Sequence, residues 1–74
     1  MFYLKDCDLP GCEGEFEIMR DASPYEDLCV GYFSKTEYGW GMELTTWLTV
    51  ADHIAIWTVV SDKMQHIRYL EKNA

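Results

Sequence analysis

Three cysteines, two histidines and thirteen carboxylates are the side chains of this 74-residue chain that could do chemistry. Cys7, Cys12, Cys29, His53 and His66 are possible metal ligands. Structural zinc sites usually bring two close ligand pairs, each of the C-x2-4-C kind. Cys7 and Cys12 form one such pair, and no second pair follows. Asp6 and Asp8 open like a calcium loop, but Pro10-Gly11-Cys12 departs from the D-x-D-x-D-G pattern. Nucleophilic catalysis would need a cysteine activated by a neighbouring base, here Cys29 with His53 or His66. No local signature surrounds any of the cysteines. Gly11, Gly14, Gly31, Gly39 and Gly41 match neither of the phosphate-cradling glycine patterns. A chain this short also has little room for a deep pocket of ~300–1,000 Å³. We therefore expect no enzymatic activity, no metal and no cofactor. The thiols read as small hydrophobes, and their odd number argues against a closed disulfide framework.

The carboxylates carry the sharper expectation. Glu13, Glu15 and Glu17 alternate along a predicted strand. Two residues of strand advance about 6.6 Å, so the three would make an evenly spaced negative row on one sheet face. Duplex DNA carries phosphates at about 3.4 Å of rise per strand, with a longer path between neighbours along the backbone. Such a row would suit a phosphate-binding groove. Asp6, Asp8, Asp21, Glu26 and Asp27 would extend the field from flanking loops. The plainer reading is a solvated face that protects a strand from edge-to-edge aggregation. Among the aromatics, Tyr25, Tyr38, Trp40 and Trp47 fall in or beside loops, or opposite the core. Tyr38, Trp40 and Trp47 are the candidate interface anchors, since binding hot spots favour Trp and Tyr. Core filling is the commoner use of such rings in a small domain, and Trp47 is the one expected to stand exposed.

The elements that must position these groups make a single α+β domain over residues 1–74. Residues 5–14 read as irregular, within a lead-in over 1–14. Residues 15–20 alternate with period two and predict a half-buried strand. Asp21-Ala22-Ser23-Pro24 ends it. Residues 28–34 predict a second, more central strand. Residues 41–50 predict a third, with Met42, Leu44, Leu48 and Val50 on one face. The stretch from 49 onward has two readings. Thr49-x-x-Asp52 resembles a capping box and would open one helix from 50 to about 72. Against it, Ile54, Ile56, Thr58, Val59 and Val60 are β-branched and fit a pleated surface. We take 54–60 as a fourth strand, so that the sheet occupies 15–60 and a helix capped by Ser61 occupies 62–72. Its core face would be Met64, Ile67 and Leu70. The fold expected is a small four-stranded antiparallel sheet followed by a C-terminal helix.

Charge separates the two parts. Residues 1–43 hold ten acids against Lys5, Arg20 and Lys35, and so the whole net charge of −7; residues 44–74 balance three acids with three bases. Such a chain is repelled by nucleic acid and by anionic membranes, and is attracted to basic protein surfaces. In size and charge it resembles small phage-encoded anti-defence proteins, anti-CRISPR proteins among them, although no motif carries the likeness. The resemblance implies steric or electrostatic blockade of a nucleic-acid-binding complex, with no cofactor. The alternative is a structural module that forms a homodimer through a sheet edge and exposed aromatics. The stretch from Leu44 to Val60 carries Asp52 and His53 at its middle and reads as soluble core rather than a membrane span. The run Met1-Phe2-Tyr3-Leu4 is ended at once by Lys5-Asp6, unlike a signal peptide. A reducing cytoplasm is the expected location, the host's if the chain is phage-encoded.

Overall fold

A computed structural model describes residues 1–7, 10–11 and 14–73. Four strands, β1 (Phe2–Asp6), β2 (Phe16–Arg20), β3 (Leu28–Thr36) and β4 (Gly39–Leu44), precede one helix, α1 (Val50–Lys72). The strands form an antiparallel meander in the order β1-β2-β3-β4. The architecture is α+β, a four-stranded antiparallel sheet followed by a C-terminal helix, as the sequence predicts. Its parts differ from the prediction in three places.

First, the N-terminus is a strand and not an irregular lead-in. Phe2 and Leu4 point to the core while Tyr3 and Lys5 point away, a period-two pattern. Pairing with β2 runs from Phe2↔Arg20 to Asp6↔Phe16. Second, the third predicted strand stops at Leu44 instead of Val50. Third, residues 54–60 are helical. The β-branched residues here lose little in a helix compared with what burial returns. Ile56 and Val60, four apart, are almost fully buried, and Met64 and Ile67 continue the same face. That spacing passes through Ser61 without a break, so Ser61 caps nothing. His53 lies in the first turn of α1.

The start of the helix is set by Thr49. Its hydroxyl accepts from the Asp52 backbone N–H at 3.1 Å, and the Asp52 carboxylate accepts from the Thr49 N–H at 3.1 Å. This reciprocal pair satisfies donors that the first turn would otherwise leave open. The Thr49 backbone N–H, and after it the Thr49 hydroxyl, hold the Asp52 carboxyl below its ordinary range.

The core lies between one face of the sheet and α1. Phe2, Ile18, Val30, Phe33, Ile56 and Val60 are buried together. Phe16, Phe33 and Trp40 form an aromatic chain across three strands, with Phe33 and Trp40 stacked at a centroid distance of 4.8 Å. β3 shifts register between Gly31 (opposite Ile18) and Cys29 (opposite Met19), which leaves Val30 as an extra residue that turns into the core. Next to it, a Cβ on Gly31 would stand 2.4 Å from the Glu43 carbonyl oxygen. Glycine at this position lets β4 come close. α1 runs from the Arg20 end of β2 toward the Phe16 end, where Lys63 lies 4.7 Å from the Phe16 ring centre. It packs most closely on β1.

Candidate functional site

Two surfaces stand out, one on each layer. The face of the sheet turned away from α1 carries Tyr3 and Lys5 from β1, Glu17 and Met19 from β2, Cys29 and Tyr32 from β3, and Glu43 from β4. Register lines up Lys5, Glu17, Tyr32 and Glu43 side by side across the four strands. The row of carboxylates is therefore transverse. Glu17 and Glu43 flank Tyr32 at two strand spacings from each other, about 10 Å. Each borders Tyr32 closely enough that its charge helps to keep the phenol protonated. The largest influence on that phenol is its hydrogen bond with Cys29, and all of these push its ionisation upward.

Of the row expected along the strand, Glu17 is on β2, Glu15 precedes it half-buried, and Glu13 lies outside the described residues, as does Asp8. The other acids gather at the two ends of the sheet. Asp6 closes β1 beside Glu15, where the Cys7 N–H donates to the Glu15 carbonyl. Asp21, Glu26 and Asp27 sit in the exposed β2–β3 connection at the opposite end. That connection is tied down locally. Asp21 accepts from the Ser23 N–H at 3.0 Å and from the Ser23 hydroxyl at 2.8 Å, and these bonds lower its carboxyl. The Tyr3 hydroxyl donates to Asp27, which raises the phenol. Asp27 and Asp21 are thus held at fixed positions beside the open face.

The aromatic candidates separate. Tyr38 is 92% exposed at the tip of the β3–β4 hairpin, where Thr36 accepts from its N–H, and Trp47 is 93% exposed in the β4–α1 connection. Trp40 is half-buried: stacked on Phe33, it packs against the core with part of its ring exposed. Cys29 is a free thiol, whereas Cys7 is disulfide-bonded. That corrects the expectation of free thiols, because an odd count excludes complete pairing and leaves room for a single bridge. Among the described residues no three His, Cys, Asp or Glu side chains come together as metal ligands would.

The second surface is hidden from sequence reasoning that takes 54–60 as a strand. Val50, Ile54 and Trp57 are 77%, 63% and 56% exposed along one stripe of α1. Below them a groove of about 360 Å³ opens between α1 and β4, floored by Phe33, Trp40 and Met42 and walled by Trp57, Met64 and Arg68. The capping box is the signal that finds it, since a helix opened there puts Val50, Ile54 and Trp57 on a common stripe. The chain matches no protein-family model, and no curated protein or solved structure matches it. Among the described residues no helix is long and apolar enough to cross a membrane.

Proposed function

We propose that this chain is a non-catalytic binding protein that docks its acidic sheet layer on a basic surface of a larger protein and blocks it. The observation that carries the reading is the placement of charge. Residues 1–43, which include β1, β2 and β3 and most of β4, hold the −7, while the residues from 44 onward, which include α1, balance to zero. On the open face Glu17 and Glu43 bracket Tyr32, so a phenol able to bury its ring and donate a hydrogen bond stands between two carboxylates. Asp21 and Asp27 add charge at one end, and Asp6 and Glu15 at the other. Such an array steers a basic partner from a distance and orients it on contact. A nucleic-acid groove is a basic surface of the kind that such a negative face fits. The narrower form of the proposal is therefore an anti-defence role of the anti-CRISPR kind, in which a phage protein occupies the groove of a nucleic-acid-binding complex. Size and charge support this narrower form.

The experiment is capture on immobilised native chain followed by elution with duplex DNA or structured RNA. A captured nucleic-acid-binding protein that is released by nucleic acid at constant ionic strength supports competition for one groove. A captured protein that nucleic acid leaves in place contradicts it.

A further inference from the structure

The helix layer is half built. Four strands spaced about 4.8 Å apart make a sheet some 19 Å wide, and one helix with its side chains is about 10–12 Å across. α1 packs most closely on β1, and toward the β4 side the core face is left half-exposed at Trp40 and Met42. Here lies the groove floored by Phe33, Trp40 and Met42. Its helical wall belongs to a seam of Val50, Ile54, Trp57, Ser61, Met64 and Arg68, whose spacings alternate four and three. That is the repeat by which one helix packs along another. The seam lies beside the stripe that faces the chain's own sheet (Ile56, Val60, Ile67) and borders it at Met64, which also packs against the core.

We infer that the missing helix is α1 of a second copy, laid antiparallel along this seam so that each protomer fills the other's groove. Three observations favour a second copy. The chain exposes 5694 Å² of accessible surface, whereas a compact monomer of its mass exposes about 4,700 Å². The excess of roughly 1,000 Å² matches the ~800 Å² that each partner contributes to a stable interface. Its radius of gyration, 12.9 Å, exceeds the ~11 Å of a compact 74-residue domain in the same sense. Charge also restricts the contact. Two copies meeting through their sheet layers would bring −7 against −7, while two helix layers meet without net repulsion.

The same seam sets the direction. Its first half is apolar (Val50, Ile54, Trp57) and its second half ends in Arg68, with Lys72 one turn further on. Parallel pairing would set Arg68 against Arg68 and Lys72 against Lys72. Antiparallel pairing about Ser61, the small residue at the centre, sets the Arg68 and Lys72 stems against the partner's Ile54 and Val50. The Arg68 guanidinium then comes within reach of the partner's Trp57 ring, a cation–π contact. It also brings His53 toward the partner's Glu71. The contact is isologous, as a two-fold dimer requires. It uses none of the acidic face, so it stands or falls separately from the proposed function.

Sedimentation equilibrium of the full chain without any partner is the test. A species of twice the 8.7 kDa chain mass is expected at micromolar concentration. Trp57→Glu is expected to raise the dissociation constant by about 10–100-fold, as loss of a central aromatic anchor does, with an unchanged helical circular-dichroism spectrum. Should that variant unfold, Ser61→Cys in a Cys29→Ser background replaces it. On mild oxidation it is expected to cross-link as a dimer, while Ala55→Cys in the same background, on the far side of the helix, stays single. A monomer at these concentrations overturns the inference. So does a dimer that Trp57→Glu leaves intact, or one that cross-links through residue 55 in preference to residue 61.

Discussion

Gly31 shows how one missing side chain shapes the candidate site. A methyl group at this position would press on the Glu43 carbonyl oxygen at 2.4 Å and on the Leu44 Cα at 3.1 Å. Glu43 is the outer member of the transverse row, so its distance from Glu17 depends on how closely β4 meets β3. Gly31→Ala should therefore cost about 1–3 kcal/mol, as overpacking of a tight core does. A lower urea midpoint with an unchanged slope would record it. An unchanged midpoint would show that the strands part without cost. Asp52 makes a second prediction at this scale. Its carboxyl is held below the ordinary value of 3.8 by hydrogen bonds from the Thr49 backbone N–H and, after it, the Thr49 hydroxyl. A depressed carboxyl contributes stability at pH values above its unfolded pKa and loses it as pH falls through the folded one. Asp21 is lowered too, by bonds from Ser23. Stability is thus expected to decline from about pH 4 downward, and Asp52→Asn should flatten part of that decline. Acid melts of the two proteins followed by circular dichroism would show it, and curves of the same shape would contradict it.

At the scale of elements, α1 depends on its first turn. Its side chains Val50 and Ile54 are exposed, so burial does not fix where the helix begins. Thr49→Ala removes the cap and should cost about 1 kcal/mol, a fall of about 4–8 °C in Tm for a domain of this size. A Tm within a degree of the native value would mean that packing alone sets the helix start. The capping box is legible in the sequence, and it outweighs the β-branched run that argues for a strand. Propensity differences are a few tenths of a kcal/mol per residue, and burial of Ile56 and Val60 against Phe2, Ile18 and Phe33 exceeds their sum. β2 and β3 are legible because period-two alternation or a central apolar run marks each. β1 is not, since five residues next to a polar break give too short a pattern to separate from a lead-in. Thr45 and Trp47 extend the alternation of β4 on paper. In the fold, the Thr45 N–H makes the last bond to the sheet, to the Val30 carbonyl, and the chain turns toward its helix cap.

At the scale of the whole molecule, an asymmetry of sequence becomes an asymmetry of sides. The charge difference between residues 1–43 and 44–74 is plain from the order of residues alone. Which carboxylates share a face is not, because the row runs across the strands and joins residues 17 and 43 through register. Trp47 is legible as an exposed ring, while the stacking of Trp40 against the core escapes a sequence reading because its neighbours Phe16 and Phe33 come from other strands. The two layers present different chemistry, with an open acidic face on one and a neutral apolar seam on the other. The proposed partner docking and the proposed self-pairing therefore call on separate surfaces. The central claim is that the acidic face binds. Its most direct test compares capture by the native chain with capture by Glu17→Lys/Glu43→Lys, at low and at high salt, after circular dichroism has shown that both are folded. A partner held by the native chain, weakened by salt and lost with the double variant is the predicted result. The same partner held equally by both chains, at either salt concentration, would contradict it.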